Sequence, residues 1–526
     1  MSRHYSLDSL VVRGHRVFGW GFCLDDAVPL PVKFLRVPLE GGETTDIPVF
    51  PSGHRADLVS AFPASSHAGS SGFMVNGRLS KAITRGSAGL VLEGWGEVLP
   101  LPGFPEAYAP ATDVPLRRGW ARFMELGRQR GWPAALASGL RGLMRRAQQS
   151  IQPDAASTAA GAKGAVVVLD HGMGGGANRY RDERIAELRA SGAAVVLIRN
   201  DLSSLSYLVR FMTANAAPSI ELRLEAQGAL LDFLVALEPK AIEINDFVGV
   251  EDVAALIDGI VGMKAARPTM RIRFNLHDFH ALCPSFTLID ASGRHCGVPA
   301  LDVCRTCLPA NARFALGMNG GIDVAEWRSA WQRLFDVVDE RIAFSRSSLD
   351  LLARGLPAEA LSGWRIEPHR FNAAGSRPVA PRLDSTLNVV AVGHLNHAKG
   401  ATLLVDLARR AEARRLPLTF SVIGTLEGGV GVPGIRVTGA FAREDLCDLL
   451  DAERTSIALL PSICPETYSY VTDELMATGL PLAVLDVGAP AERVGRYHSG
   501  CLLPLDGVDA QLDALLAFGD TLRAAR

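Results

Sequence analysis

The stretch from Cys464 to Pro481, which reads C-P-E-T-Y-S-Y-V-T-D-E-L-M-A-T-G-L-P, constrains the fold of this chain more than any other feature. Its second half carries apolar residues at helical spacing and ends in glycine and proline, which predicts a helix that begins near Ser469. Apolar runs at 456–460 and 482–485 predict buried strands on either side. A strand, a loop and a helix in this order indicate an open α/β sheet, which binds ligands beyond the carboxyl ends of its strands.

Two carboxylates stand in this stretch, Glu466 just before the predicted helix and Glu474 inside it. The first N–H groups of the helix, near Ser469 and Tyr470, and its positive dipole end are suited to an anion such as a diphosphate. Carboxylates repel an anion, so the two glutamates are better explained as groups that bind hydroxyls. One could bind the hydroxyl groups of a ribose and the other those of a sugar. The alternative is that they only complement the helix start and a solvated helix face.

The stretch resembles the E-x7-E motif of retaining glycosyltransferases with the GT-B fold, and the chain looks like family 4 of these enzymes over roughly residues 164–515. That resemblance implies two Rossmann-like domains facing each other across a cleft. It also implies transfer of a sugar from a nucleotide-sugar donor to a glycan or lipid-linked glycan acceptor, with retention and without a metal for catalysis. The expected role is cell-surface polysaccharide biosynthesis (O-antigen, capsule or exopolysaccharide).

The length of 526 residues is sufficient for about three domains. We predict an α/β protein of the GT-B class with an additional all-β domain at the N-terminus. The predicted divisions are a β-sandwich accessory domain at 1–105, a basic helical connector at 106–163, a first Rossmann-like, acceptor-side domain at 164–386 and a second, nucleotide-sugar-binding domain at 387–526. A net charge of −2 gives no indication of a nucleic-acid partner.

In residues 1–105, short apolar segments alternate with glycine, proline, serine and aspartate, which is typical of strands and turns. The sequence around Phe18–Phe22 resembles the sandwich modules attached to some bacterial glycosyltransferases. Trp20 and Trp95 could stack on sugar rings there. Since buried aromatic residues are the commoner case, we favour a core role for both.

The arginine-rich segment 117–146 also carries apolar residues at helical spacing. It is consistent with an amphipathic helix on an anionic membrane, or with an ordinary helix that packs on the next domain and exposes a basic face. No apolar run reaches the roughly 18 residues of a membrane span, and charged residues interrupt the start of the chain, so no signal peptide is expected. We therefore expect a cytoplasmic protein; the membrane alternative for 117–146 would make it peripheral on the inner face of the plasma membrane.

Strands and helices alternate from residue 164 onward, which predicts βαβ units and parallel sheets. In the first Rossmann-like domain the predicted strands are 165–169, 193–198, 241–245, 271–276 and 341–344, and the predicted helices are 179–190, 221–237, 251–264 and 325–337. In the second domain the predicted strands are 387–392, 418–423 and 436–438, and the predicted helices are 401–414 and 443–451.

A glycine-rich turn, His171–Asn178, joins the first strand and helix of this domain. Glycines at this point let the backbone approach a ligand closely, but a lone glycine-rich turn is weak evidence for phosphate binding. The resemblance implies that Gly174, Gly175 and Gly176 lie over the cleft near the donor phosphate.

His277 follows the predicted strand 271–276, at the edge where ligands bind in such sheets. A lone histidine is more often structural. The resemblance implies that a histidine at this strand end contacts the donor sugar, and we favour that role for His277.

Four cysteines, Cys283, Cys296, Cys304 and Cys307, lie in the loop 277–309, and the last two form a C-x2-C pair. Four thiolates at such spacing can hold a structural zinc ion, and a long loop without clear periodicity needs such a staple. The alternative is four reduced thiols.

Lys399 lies between a predicted strand and helix, in the sequence G-H-L-N-H-A-K-G that starts at Gly393. An ammonium group there can neutralise a departing diphosphate. The resembling enzymes have arginine where this chain has His394, which leaves open a protonated histidine as substitute, a different donor or reduced activity.

These residues predict a donor site in which Glu474 binds ribose, Lys399 and the helix start bind diphosphate, and Glu466 and His277 contact the sugar. Two other classes stay open: a catalytically silent protein that binds glycan through its β-sandwich, and another GT-B enzyme such as a nucleotide-sugar epimerase.

Overall fold

The computed structural model describes three regions of ordered chain. The described residues are 4–13, 16–25, 31–51, 58, 61–62, 65, 68, 71–79, 81–92, 98–105, 159, 161–172, 175–201, 204–212, 220–311, 322–373, 375–427 and 434–525. Most of the connector (residues 106–158 and 160), including the basic segment 117–146, lies outside them, as do Trp95 and Gly174. Within the described residues, no helix has the length and apolarity needed to traverse a bilayer.

The N-terminal region is all-β, as predicted. Its strands are β1 (His4–Arg13), β2 (Arg16–Leu24), β3 (Val32–Pro38), β4 (Thr44–Pro51), β5 (Gly72–Arg78), β6 (Gly89–Leu92) and β7 (Val98–Pro100). They pair in the order β1-β2-β5-β4-β3-β6-β7 with antiparallel neighbours. The strand β4 pairs with β3 through its first half and with β5 through its second half, so it joins the two halves of the sheet.

The two halves of this sheet bury a common apolar core. Leu10 and Phe73 come from one half and Leu35 and Leu90 from the other, and all four are fully buried. Trp20 is half-buried and packs with Phe18 against Leu205 of the next region, in agreement with the packing role predicted for it.

The first Rossmann-like region is built on an eight-stranded sheet. Its strands are β8 (Val166–His171), β9 (Val195–Asp201), β10 (Ser206–Met212), β11 (Ile220–Leu224), β12 (Ala241–Ile244), β13 (Arg271–Asn275), β14 (Glu340–Ala343) and β15 (Trp364–Ile366). Its helices are α1 (Gly175–Ala190), α2 (Gln227–Leu237), α3 (Val253–Ala266), α4 (Leu301–Ala310), α5 (Val324–Val337) and α6 (Arg346–Leu352). The strand order is β11-β10-β9-β8-β12-β13-β14-β15.

Two predictions for this region were wrong in part. Residues 221–224, assigned to a helix, belong to β11, which pairs antiparallel with β10, and α2 begins only at Gln227. The alternation Ile220, Leu222, Leu224 is a strand period that merges with the helical pattern after it. The Cys-rich loop also contains a helix, α4, which carries the C-x2-C pair.

The second Rossmann-like region has six parallel strands. Its strands are β16 (Leu387–Leu395), β17 (Leu418–Leu426), β18 (Ile435–Val437), β19 (Ile457–Leu460), β20 (Leu482–Leu485) and β21 (Gly500–Leu503). Its helices are α7 (Ala401–Ala413), α8 (Leu446–Ala452), α9 (Tyr470–Ala477), α10 (Gly488–Val494) and α11 (Val508–Ala524). The order β18-β17-β16-β19-β20-β21 is that of a doubly wound sheet.

In such a sheet the ligand crevice lies where the winding direction reverses. The reversal falls between β16 and β19 in the second region, and between β8 and β12 in the first. Lys399 follows β16 and Glu466 follows β19, so both residues lie at the reversal point of the second sheet. This pair of Rossmann-like sheets is the GT-B architecture that the sequence predicted.

Candidate functional site

Two loops meet at the reversal point of the second sheet, one after β16 and one after β19. Gly400, which precedes α7, has a φ of +82°, and a Cβ added there would lie 1.9 Å from the Pro461 carbonyl oxygen. Only glycine permits this conformation and this approach. The backbone contact sets Lys399 beside the loop that carries Glu466.

Lys399 and Glu466 form an ion pair, with 2.6 Å between Nζ and Oε2. The Glu466 side chain is 14% exposed and that of Lys399 41%, so Lys399 in particular is open to a ligand. Burial opposes the charge on each group, but their attraction outweighs it: the pKa of Lys399 is raised and that of Glu466 lowered. Ser462 donates a further hydrogen bond of 2.5 Å to Glu466 Oε1. Both groups are therefore charged at neutral pH.

The helix α9 begins at Tyr470, directly after this pair, close to the predicted start. In the described chain the N-cap residue Ser469 makes no side-chain capping hydrogen bond, which leaves the first N–H groups of the helix suited to a ligand. Asp473 fixes the helix start, because it accepts hydrogen bonds from the Tyr468 hydroxyl (2.5 Å) and from Arg493 (2.7 Å), which in turn donates to the Ser469 carbonyl.

Glu474 lies one turn into α9 and pairs with Arg443, at 2.6 Å between Oε1 and Nε. Burial raises the pKa of Glu474, and Arg443 acts against that shift. Both side chains line a small cavity of about 60 Å³ together with Gly375 and Ser376. The sequence analysis missed Arg443, because no motif surrounds it and only the fold brings it to Glu474.

Gly393 and His394 lie at the end of β16. Gly393 has a φ of +117°, and its carbonyl oxygen would lie 2.0 Å from a Cβ on Gly424, so the two strand ends are in close contact. The His394 ring, at Nδ1, is hydrogen-bonded to the Thr425 hydroxyl and is exposed. His394 thus lies at the end of β16, beside the loop 396–400 that carries Lys399, which is called the donor loop below after the role proposed for it.

The first region meets this site through His277, which follows β13. Its carbonyl oxygen accepts a 3.0 Å hydrogen bond from the Thr467 hydroxyl, next to Glu466. Burial lowers the pKa of His277 well below its usual value, so the ring is neutral. In the described part of the chain, its buried Nε2 has no hydrogen-bond partner.

The rings around His277 join both regions. Tyr180 and Phe344 lie 5.0 and 4.6 Å from His277 between ring centroids. His369, which follows β15, stacks on Tyr180 at 4.7 Å and on Tyr468 at 4.3 Å. Burial lowers the pKa of His369 to about 3, so this contact is between uncharged rings.

The glycine-rich turn lies against the start of α9. A Cβ on Gly176 would lie 3.2 Å from the Tyr470 ring, and Gly175 opens α1 with a φ of +83°. The Arg179 guanidinium lies 4.2 Å from the centroid of the Tyr470 ring. The turn is thus close to the helix start, although Gly174 lies outside the described residues.

A polar cluster that the sequence analysis missed lies at the reversal point of the first sheet. His171 Nε2 is 3.3 Å from Asp246 Oδ2, and Asp170 is 3.7 Å from the other ring nitrogen. Burial raises the pKa of Asp246, and Asp170 adds to the shift. Burial likewise raises the pKa of the adjacent Asp278 to about 8. Strand-end positions were the only sequence signal for these residues.

The four cysteines of the loop come from three segments that converge. Burial raises the pKa of the Cys296 thiol to about 11, and the thiols of Cys283, Cys304 and Cys307 lie near enough to raise it further. Among the described residues, only Asp170, His171 and Asp246 bring three metal-ligating atoms within 4.8 Å of one another. The four thiols are therefore near one another, but no three of the sulfur atoms lie within 4.8 Å of one another.

Comparison with known proteins identifies the class. Residues 386–519, the second Rossmann-like region, match the family described as glycosyl transferases group 1. This match and the GT-B architecture define the chain as a glycosyltransferase enzyme.

Two curated relatives carry the name GDP-mannose-dependent alpha-mannosyltransferase. The protein of Mycobacterium tuberculosis (strain CDC 1551 / Oshkosh) is 27% identical over 298 residues, which are 53% of this chain and 75% of the relative. That of Mycolicibacterium smegmatis (strain ATCC 700084 / mc(2)155) is 28% identical over 232 residues, which are 42% of this chain and 59% of the relative. Among solved structures, Anabaena Alr3699/HepE in complex with UDP aligns with a TM-score of 0.42 and 14% identity, over 69% of this chain and 91% of that chain.

Proposed function

We propose that this enzyme moves a hexose from a nucleoside diphosphate sugar to a glycan or lipid-linked glycan, with retention of the anomeric configuration. Mannose from GDP-mannose is the first donor to test, because both curated relatives are named for it. The Lys399–Glu466 ion pair beside the uncapped start of α9 carries the proposal. It sets one cation and a set of N–H donors where a diphosphate can bind.

The proposed chemistry follows from where charge develops. Cleavage of the anomeric bond builds positive charge on the sugar and negative charge on the departing diphosphate. Lys399 and the N–H groups at Ser469 and Tyr470 stabilise the negative charge, an arrangement most effective when preorganised. Glu466 holds Lys399 in place and accepts hydrogen bonds from sugar hydroxyls.

Glu474 and Arg443 line the proposed binding site of the nucleoside. The Glu474 carboxylate accepts hydrogen bonds from the ribose hydroxyls, and Arg443 keeps it ionised. The unpartnered Nε2 of His277 donates to or accepts from the donor sugar from the opposite side of the cleft, according to its tautomer. The acceptor approaches from the first region, along the edge that carries His171 and Asp246.

This role belongs to surface-polysaccharide assembly in the cytoplasm, at the inner face of the membrane. The basic segment 117–146, outside the described residues, is the proposed peripheral contact with that membrane.

The test is turnover of GDP-mannose, UDP-glucose and UDP-N-acetylglucosamine in the presence of oligosaccharide acceptors, with the new anomeric centre assigned by NMR. The proposal predicts nucleotide release that depends on an acceptor, and an α-linkage from an α-donor. Donor conversion without any acceptor would indicate an epimerase. Glycan binding with no turnover of any donor would indicate a silent protein.

A further inference from the structure

We propose that Cys283, Cys296, Cys304 and Cys307 bind a structural zinc ion that fixes the Cys-rich loop against the donor loop. Thiolates are ligands that zinc prefers, and structural sites are commonly built from four of them, including a C-x2-C pair. The four come from a turn, a hairpin and the helix α4.

The helix α4 presents two of the thiols on one face. Cys304 and Cys307 are three residues apart on α4, a spacing that puts both side chains on the same side of a helix. Cys307 lies in the last turn of α4, which ends at Ala310. The backbone N–H of the cap residue Asn311 donates to the Leu308 carbonyl and closes that turn. This pair is the fixed half of the proposed site.

The other two thiols are brought to that face by hydrogen bonds. Arg328 donates to the Leu282 carbonyl (2.9 Å) and its Nη2 lies 3.8 Å from Cys304 Sγ, which joins the Cys283 segment to α4. Asn311 donates to the Ile289 carbonyl (2.8 Å) and lies 3.9 Å from Cys307 Sγ. Ile289 pairs with His295, next to Cys296, so this second link brings the hairpin to α4.

The same contacts suit ligating sulfurs. N–H groups of Arg328 and Asn311 point at Cys304 and Cys307, and donors on ligating atoms orient them and stabilise their negative charge. A zinc ion with four thiolates carries a net negative charge, which the Arg328 guanidinium offsets. In the described structure no three of the four sulfurs lie within 4.8 Å of one another, so zinc binding requires the thiols to turn toward one another from their present positions.

The backbone around the hairpin, in which Ile289 pairs with His295, gives an independent reason for a metal crosslink. Phe286, Leu288 and Val298 have φ values of +46°, +54° and +59°, a region that costs free energy for side chains of this size. Such conformations persist only where the surroundings over-determine them. Cys296 lies between two of these residues, so a metal bond there would hold the strained segment in place.

The staple would act on the donor site through the tip of the hairpin. The Gly293 carbonyl oxygen lies 3.2 Å from His397 Nε2, and His397 is two residues before Lys399. A Cβ on Gly293 would lie 3.2 Å from the same nitrogen. This consequence rests on the proposed donor site, whereas zinc binding itself does not.

The direct test is the metal content of the full-length protein, measured by plasma mass spectrometry after gel filtration. We expect about one zinc ion per chain in the wild type and in Cys501→Ser, a half-buried cysteine of the second region, and loss of zinc in the double variant Cys304→Ser, Cys307→Ser. Titration of the wild type with a mercurial, followed by a zinc-sensitive dye, should release zinc as these thiols react.

Four results would overturn the proposal: a wild type that holds no zinc and takes up none when zinc is added, thiols that react without zinc release, zinc retained by the double variant, or iron with visible absorption. The mercurial titration of the wild type tests zinc binding by the thiols even if the double variant does not fold. If zinc is present and no donor turns over, the zinc site stands and the proposed function fails. If zinc removal leaves donor turnover unchanged, zinc binding stands but its action on the donor loop does not.

Discussion

The Thr467 hydroxyl donates a 3.0 Å hydrogen bond to the carbonyl oxygen of His277. This bond joins the residue after Glu466 to the strand end of the opposite region. It therefore ties the group that holds Lys399 to the histidine proposed to contact the donor sugar.

Replacing this hydroxyl tests the link. We expect Thr467→Val to lower kcat/KM by about 3- to 10-fold, since one neutral hydrogen bond contributes about 0.5–1.5 kcal/mol. The control is Thr521→Val, whose hydroxyl bonds only within α11 in the described chain. Steady-state kinetics with the active donor is the measurement. Equal kcat/KM values for Thr467→Val and the wild type would show that the link does not matter to the reaction.

Glu474 should determine donor affinity rather than stability. Loss of a hydrogen bond to a charged group costs about 1.5–3 kcal/mol, so Glu474→Gln should weaken nucleotide-sugar binding about 10- to 100-fold. The control is Glu444→Gln, which lines the same cavity.

Thermal stabilisation by the donor is the readout, because a ligand that binds only the folded state raises the melting temperature. The donor should stabilise the wild type and Glu444→Gln and stabilise Glu474→Gln less. Equal stabilisation of all three would remove Glu474 from the donor site.

Gly400 should be among the least replaceable glycines of the second region. Gly400→Ala combines an unfavourable φ of +82° with a 1.9 Å approach to the Pro461 carbonyl. Gly434 has nearly the same φ, +80°, and no atom of the described residues lies within 4 Å of a Cβ added there, so Gly434→Ala serves as the measure of the conformational cost. We expect a cost of about 1 kcal/mol or slightly more at Gly434 and several kcal/mol at Gly400, in urea unfolding. A similar cost at both positions would mean that the loops do not meet as described.

The buried His369 predicts a pH dependence of stability. Burial lowers its folded pKa from 6.5 to about 3, so between these values the unfolded chain binds more protons than the folded one. Stability is therefore complete above pH 6.5 and falls below it, by about 1.4 kcal/mol per pH unit for each such histidine.

The variant His369→Phe keeps the ring stack and removes the titration. Its melting temperature should fall less between pH 7 and pH 5 than that of the wild type, while the exposed His498→Phe should follow the wild type. Parallel curves for all three proteins would exclude His369 as a source of the pH dependence.

The sequence predicted the second region closely. Its strands β19 and β20 are continuous apolar runs, and glycine and proline follow α9, so periodicity and turn residues were sufficient there. The start of α9 and the strand at 482–485 lie where they were predicted. Local signals are strong there because parallel strands are buried on both faces.

The remainder depended on contacts between distant residues. The partner of Glu474, Arg443, comes from another loop, and the cluster of His171 and Asp246 forms only because β8 and β12 are neighbours. The short strand β11 was mistaken for helix, because its apolar residues continue into a helical pattern. Spacing within one segment cannot show any of these relationships.

Binding of the donor diphosphate by Lys399 is tested by comparing a nucleoside diphosphate with the matching monophosphate. Isothermal titration with GDP and GMP, or with UDP and UMP if UDP-sugars prove to be the donors, isolates the second phosphate. The wild type should bind the diphosphate at least about 10-fold more tightly, and Lys399→Met should lose that preference while it still binds the monophosphate. An unchanged preference in Lys399→Met, or no preference in the wild type, would contradict the account.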